Sequence, residues 1–303
     1  MATPPRPLAL ALLLGLAGAL VAAVLGLLTF GAQATARPDH LPLAVAVPNE
    51  AAGAQISQRL AGQGGDAVSW RVTSPAEAAN LLDRKEIYGY LDVSAAPSGA
   101  KIVVSGAINP QGTQFAQQIL TEVAHRLAQS TGGPAIETTT VHPTSVAGRT
   151  APLGASALLW IAGLVATLGF GALVARFRIH AGLLPRFTLA ITNSVLATAV
   201  VAGYFRLWDN TLPLTAGVLG FMLLTAFAFT AVQGALVRLF GVPAAAVLGP
   251  LYLIAPAVAG QVPELLNPTY RALLWSWTPF RFSTEGLRSL LLGTPAPRTC
   301  APA

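Results

Sequence analysis

The sequence predicts a membrane protein: an α-helical bundle of about five spans, with an extracytoplasmic α/β domain inserted between the first and second spans. Hydrophobic residues make up 53% of the chain and charged residues only 10%, whereas soluble domains carry about 25% charged residues. Five apolar stretches reach the roughly 20 residues that a spanning helix needs. Between the first two stretches, the sequence becomes more charged and takes on the patterns of strands and helices.

The apolar stretches define the predicted organisation of the chain. They cover residues 8–30, 153–175, 187–205, 212–237 and 242–260. The last four form a predicted four-helix transmembrane bundle, 153–260. The fifth contains Pro250 and Pro256, which membrane helices tolerate when neighbouring helices satisfy the freed carbonyl groups.

The first stretch, 8–30, has two interpretations. Arg6 before it and Ala34-Thr35-Ala36 after it resemble a cleavable secretory signal. The apolar run is longer than the roughly 7–15 residues of a signal core, which favours an uncleaved anchor. Small residues recur at every fourth position, a spacing that allows close approach of another helix. They form two stripes, Gly15/Ala19/Ala23 and Gly18/Ala22/Gly26.

Charge distribution predicts the orientation. Arg176, Arg178 and Arg186 cluster in one short connection, and short connections rich in Lys and Arg face the cytoplasm. With the N-terminus in the cytoplasm, all 12 acidic residues fall outside. The chain is then predicted to have a cytoplasmic tail at 1–7, an extracytoplasmic domain with its linker at 31–152, and an extracytoplasmic interfacial segment and tail at 261–303. The predicted location is the plasma membrane.

The inserted segment alternates between strand and helix patterns. Predicted strands cover 43–47, 68–73, 87–93 and 101–104, and predicted helices cover 52–61 and 111–129. Ser74, Pro75 and Glu77 together form a capping-box pattern that starts a further helix. Strands separated by helices favour a mainly parallel sheet. Residues 130–152, rich in Gly, Thr and Pro, are interpreted as a linker back to the membrane.

The order of these elements resembles the type-2 ABC exporter permease superfamily, and most closely its phage-infection-protein (YhgE/Pip)-like branch. The resemblance covers nearly the whole chain. It rests on LPLAVAVPN at 41–49, SPAEA at 74–78 leading to IYGYLDV at 87–93, NPQG at 109–112, and 250–260 with Pro263. Members of this superfamily generally have a sixth span, and many have an interfacial helix before the first span. Neither is recognisable in this sequence.

The resemblance implies a permease subunit of an export system, working as a homo- or hetero-dimer with a separate ATPase subunit. It also implies an ATPase-coupling loop at the connection between the second and third spans, made of Arg176, Arg178, Leu183, Leu184, Arg186 and Phe187. The alternative is that these arginines only fix the topology and contact lipid head groups.

Neutral polar residues lie inside the predicted spans, and four of them are candidates to line a transport path: Asn193, Thr198, Thr230 and Gln233. The alternative is hydrogen bonding between helices. Ion-coupled carriers place ionisable groups in the membrane interior, and these spans contain none. If the protein transports a substrate, we therefore expect a partner to supply the energy.

The sequence does not favour an enzyme. The four His residues are scattered without metal-ligand spacing, and no phosphate-binding loop is present. We therefore predict no catalytic residue, no cofactor and no metal, and the thinly spread basic residues predict no nucleic-acid partner. The expected function is export of a hydrophobic or amphipathic substrate. The alternatives are a non-transporting surface protein (a secretion-system accessory or phage receptor) and an envelope scaffold.

Overall fold

The computed structural model describes residues 7–60, 65–94, 100–131 and 136–293. The remaining residues include most of the predicted N-terminal tail and the last ten residues of the chain. Most of the described chain is helical. The helices are α1 (Pro7–Ala34), α2 (Glu50–Leu60), α3 (Pro75–Asp83), α4 (Pro110–Thr131), α5 (Val146–Phe177), α6 (Leu183–Trp208), α7 (Ala216–Phe240), α8 (Ala245–Ala259), α9 (Pro268–Tyr270) and α10 (Pro279–Leu292).

Five strands form one sheet, and all of them lie in the chain between α1 and α5. They are β1 (Leu41–Ala46), β2 (Val68–Thr73), β3 (Gly89–Asp92), β4 (Lys101–Ser105) and β5 (Glu137–Val141). Their order is β2-β1-β3-β4-β5. Only the β3–β4 pair is antiparallel, so the expectation of a mainly parallel sheet is confirmed.

Both faces of the sheet are covered, which explains the apolar strand sequences. Successive side chains of a strand point to opposite faces. Leu43 and Val45 of β1 accordingly pack on the face covered by α2 and α4, while Ala44 and Ala46 pack against α3 on the other. Ser74 caps α3 as predicted, since its Oγ accepts a hydrogen bond from the backbone N–H of Glu77 at 3.3 Å.

The interpretation of 130–152 as a linker is wrong for residues 137–141 and for residues 146–152, whereas residues 132–135 lie outside the described range. Residues Glu137–Val141 form β5, which pairs in parallel with β4. Helix α5 then begins at Val146, with Ser145 as its N-cap. A composition rich in Gly, Thr and Pro predicts a linker, but the three threonines of β5 are β-branched residues that suit strands.

Four helices in the described part of the chain are long and apolar enough to cross a membrane, which is consistent with a multi-pass membrane protein. They are Gly15–Ala34 within α1, then α5, α6 and α7. The predicted fifth span at 242–260 is not among these four. Its first residues form a 3-10 turn, Val242–Ala244, and α8 has 15 residues. The turn runs directly into α8. At rises of about 2.0 Å per residue in the turn and about 1.5 Å in α8, the two together are about 28 Å long, close to a hydrocarbon core of about 30 Å.

Three of these four helices, α5, α6 and α7, form the bundle together with the shorter α8 and α10. Helices α5, α6 and α7 pack against one another, and α10 packs against α5, α7 and α8. At the centre, the ring of Trp160 lies 5.0 Å from that of Phe229 and 4.9 Å from that of Phe280. Since Phe280 belongs to α10, part of the segment 261–303 packs into the bundle.

Helix α1 lies at the edge of the bundle, where it packs on α8. Its Leu25 and Leu28 contact the cluster of Ile254 and Leu274. Most of its other side chains from residue 15 onward are exposed. The small-residue stripes meet no other helix of this chain at Gly15 and Gly18, where an added Cβ would have no atom within 4 Å.

The sheet sits on one end of the bundle, called here the sheet-side end. The backbone N–H of Arg37 donates to the carbonyl of Leu265 at 3.0 Å, and that of Asp39 donates to the carbonyl of Glu264 at 2.8 Å. The Asn109 amide donates to the carbonyl of Gly260 at 3.2 Å. The opposite, distal end of the bundle contains the connection between α5 and α6.

Candidate functional site

The connection between α5 and α6 is short and has a defined conformation. Arg178 adopts the left-handed conformation with φ 51°. The backbone N–H of Arg178 donates to the carbonyl of Ala175, and that of Ile179 to the carbonyl of Val174. This is a Schellman-type helix ending, with Arg where glycine is usual. It ends α5 abruptly and lets α6 begin at Leu183.

An apolar groove of about 840 Å³ lies at the distal end between α5, α6 and α7. Four of the predicted coupling residues line it: Leu183, Leu184, Arg186 and Phe187. Leu183 and Leu184 are 73% and 77% exposed. The structure therefore brings together the predicted coupling residues that lie on α6. Arg176 and Arg178, at the end of α5, are not part of the groove.

Two arginines give this groove a positive charge. Arg186 lies in the first turn of α6, and its guanidinium carbon is 5.7 Å from the centre of the Phe170 ring, within cation–π range. Its Nε is buried without a hydrogen-bond partner. Arg238 reaches the groove from the last turn of α7. Among the described residues, no carboxylate lies within ion-pair distance of either arginine.

Deeper in the bundle, three of the four predicted path-lining residues form one polar cluster. The Asn193 amide donates to Thr230 Oγ1 at 2.9 Å, and Thr230 donates to the carbonyl of Ala226 at 2.7 Å. The Gln233 amide donates to the carbonyl of Trp160 at 3.1 Å. Gln233 is fully buried, and its Oε1 has no hydrogen-bond partner among the residues that the structure describes. Thr230 also lines the groove, so the cluster and the groove share a side chain.

Thr198 does not join this cluster. It is buried on α6, and its hydroxyl has no hydrogen-bond partner among the described residues. The prediction grouped it with the others by residue type, but the rotation of α6 separates it from them.

Gly163 is part of this site, and sequence reasoning missed it. An added Cβ at Gly163 would lie 2.4 Å from Gln233 Oε1 and 3.0 Å from Thr230 Oγ1. The glycine therefore makes room for the polar cluster. The sequence contains a signal, since Gly163, Thr167 and Gly171 follow one another at four-residue spacing, and such small-residue stripes let membrane helices approach closely.

The arrangement suits an apolar or amphipathic partner with a negative group. The groove offers aliphatic and aromatic side chains, two arginines without carboxylate partners, and a neutral polar cluster next to them. No charged residue lies between the terminal turns of α5, α6 and α7.

In comparisons with protein-family models, curated proteins and solved structures, none matched this chain.

Proposed function

We propose that this protein is the membrane subunit of an ABC-type export system, which moves a hydrophobic or amphipathic substrate and takes its energy from a separate ATPase. In this proposal the ATPase docks at the opening of the distal groove, on Leu183, Leu184 and Phe187. Its acidic rim pairs with Arg186 and Arg238. The protein works as a homo- or hetero-dimer.

The observation that carries the proposal is the position of Thr230. It lines the groove and also accepts the hydrogen bond of Asn193 in the polar cluster. A partner that moves α6 against α7 at the groove therefore changes the neighbouring cluster directly. A transporter needs this kind of coupling between the site where its ATPase binds and the residues that line its transport path.

Two further features support an external energy source and an apolar substrate. The described spans offer neutral amides and hydroxyls, whereas proton- and sodium-coupled carriers use ionisable groups in the bundle. The groove walls are mostly aliphatic and aromatic, which favours apolar substrate surface.

The proposed orientation places the distal end in the cytoplasm and the sheet outside. Arg176, Arg178, Arg186 and Arg238 all lie at or near the distal end, and short segments rich in arginine are retained on the cytoplasmic side. A cytoplasmic ATPase then has access to the groove.

The test changes Leu183 and Leu184 together to Asp in a tagged full-length chain expressed in its own cells. Two carboxylates at the groove opening would repel the acidic rim of an ATPase and remove the apolar contact. We expect normal insertion and abundance, loss of the co-purifying ATPase from mild detergent, and the export phenotype of a deletion strain.

The matched control changes Phe177 and Ile179 together to Asp. These side chains are also exposed, at 64% and 55%, and belong to the same connection, but they do not line the groove. The control should keep the ATPase. If no ATPase co-purifies with the wild-type chain and a deletion strain exports normally, the proposal is wrong, and the non-transporting surface protein takes its place.

A further inference from the structure

A second, smaller cavity of about 210 Å³ lies at the opposite end of the bundle, where the sheet meets α10 and the segment after α8. The turn after α3 and the start of β3 form one wall, and the residues before α9 form another. Its polar and aromatic walls include Lys85, Tyr88, Gln261, Trp275, Arg281 and Arg288.

Three buried polar atoms in this cavity have no hydrogen-bond partner in the described part of the chain. Gln261 is 4% exposed, and neither its amide nitrogen nor its amide oxygen makes a hydrogen bond to a described residue. Arg288 is 3% exposed, and its Nε is also without a partner, although its guanidinium pairs with Glu285. Buried polar groups in folded proteins are almost always satisfied. A ligand or water molecules must therefore complete this site.

The charge of the cavity favours an anion. Three cations line it, Lys85, Arg281 and Arg288, against the single carboxylate of Glu285. Lys85 donates to the neutral hydroxyl of Ser289 at 3.3 Å. Arg281 stacks on aromatic rings, and among the described residues it has no carboxylate within ion-pair distance. Positive charge still exceeds negative when the nearby Glu264 is counted.

Two titratable side chains at the cavity wall, Lys85 and Tyr88, have pKa values shifted chiefly by burial. Burial lowers the pKa of the Lys85 ammonium below its ordinary value; the nearby Glu285 partly opposes this, and Arg288 lowers the pKa by a smaller amount. An anion in the cavity would favour the charged form of Lys85. The Tyr88 hydroxyl donates a hydrogen bond to the carboxylate of Glu264 at 3.0 Å. Burial and this neighbouring carboxylate raise the pKa of Tyr88, so its phenol stays protonated and remains a hydrogen-bond donor.

The surface beside the cavity is apolar and exposed. The Arg281 guanidinium carbon lies 3.7 Å from the centre of the Trp275 ring and 4.2 Å from that of Phe282. Phe282 and the neighbouring Leu273 and Trp277 are largely exposed. Aromatic residues of this kind are common where a membrane protein meets lipid head groups. An acyl chain can therefore lie outside while a head group enters the cavity.

We propose that this cavity binds a phosphate-type oxyanion, supplied by the head group of an anionic phospholipid or by free phosphate. Arginine side chains suit phosphate because their planar donors match its oxygens. The cavity is smaller than the roughly 300–1,000 Å³ of sites for drug-sized ligands, which suits a head group or an ion. This site is independent of the export proposal, because it lies at the other end of the bundle.

The test titrates the purified full-length chain in neutral detergent with three probes: dihexanoyl phosphatidylglycerol, dihexanoyl phosphatidylcholine and sodium phosphate. The readouts are the unfolding temperature and tryptophan fluorescence. A ligand that binds the folded chain raises its unfolding temperature. Saturable stabilisation by phosphatidylglycerol alone identifies a lipid head-group site, and saturation by sodium phosphate identifies a site for the free ion. A lack of saturable response to all three probes overturns the proposal and leaves a hydrated cavity.

Matched variants decide whether the response belongs to this cavity. Arg281→Gln should weaken the binding of the effective probe about tenfold. Arg206→Gln, an exposed arginine at the sheet-side end of α6 outside the cavity, should leave binding unchanged. Gln261→Leu removes the unpaired amide, so it should retain folding and reduce the response to the probe. Equal binding by wild type, Arg281→Gln and Gln261→Leu overturns the proposal even if the wild type responds.

Discussion

Gly163 shows how one missing side chain shapes the distal site. The position faces α7, and the space beside it is filled by Gln233 and Thr230. The Gln233 amide reaches past the glycine to the carbonyl of Trp160. A larger residue at position 163 would collide with the Gln233 side chain in its present position.

We therefore predict that Gly163→Ala destabilises the protein by about 1–3 kcal/mol, because the new methyl group displaces a buried amide from its only hydrogen bond. Gly154→Ala on the same helix is the control, since no atom lies within 4 Å of a Cβ there. Its methyl group should be neutral or stabilising by up to about 1 kcal/mol, because alanine favours helix. Denaturant unfolding of both purified variants measures the difference, and equal stability would contradict the structural role of Gly163.

Residue type alone identified part of the distal site. Asn193, Thr230 and Gln233 stood out as polar side chains within apolar sequence, and they do come together. Thr198 stood out for the same reason and remains apart. The difference depends on how α6 is rotated against α7, and a single sequence does not contain that information when polar residues are spread around the helix.

At the scale of elements, strong local signals were the most reliable. Ser74, Pro75 and Glu77 predicted the start of α3 correctly, because capping depends on the nearest residues. Strand β5 was not predicted because it is stabilised by pairing with β4, which is distant in sequence. Val103 of β4 pairs with Thr139 of β5, and the whole of α4 lies between them in the chain. The predicted span at 242–260 shows a related limit of local patterns. Hydropathy does not distinguish the 3-10 turn Val242–Ala244 from the α-helix that follows it.

The role of β5 predicts how the sheet tolerates truncation. A soluble fragment of residues 38–143 keeps β5, and a fragment of 38–130 removes it and exposes the hydrogen-bonding edge of β4. An unpaired edge invites association and loses ladder hydrogen bonds. We expect the longer fragment to unfold cooperatively at a higher temperature in circular dichroism, and the shorter one to unfold earlier or aggregate. Identical behaviour would mean that β5 contributes nothing to the sheet.

At the scale of the whole molecule, the two ends of the bundle differ in charge and shape. The distal end has arginines without carboxylate partners around an open apolar groove. The sheet-side end has most of the acidic residues and is covered by the five-stranded sheet and its helices. Positive residues in short connections face the cytoplasm, so the two ends should lie on opposite sides of the membrane.

This orientation predicts a labelling pattern in a Cys300→Ser background. Gln118→Cys lies on the exposed side of α4, and His180→Cys lies in the exposed α5–α6 connection. An impermeant thiol reagent applied to intact cells should modify Gln118→Cys and leave His180→Cys unmodified. Permeabilised cells should show both labelled, which controls for reactivity. Labelling of His180→Cys alone in intact cells would place the distal groove outside, beyond the reach of a cytoplasmic ATPase, and would contradict both the orientation and the export proposal.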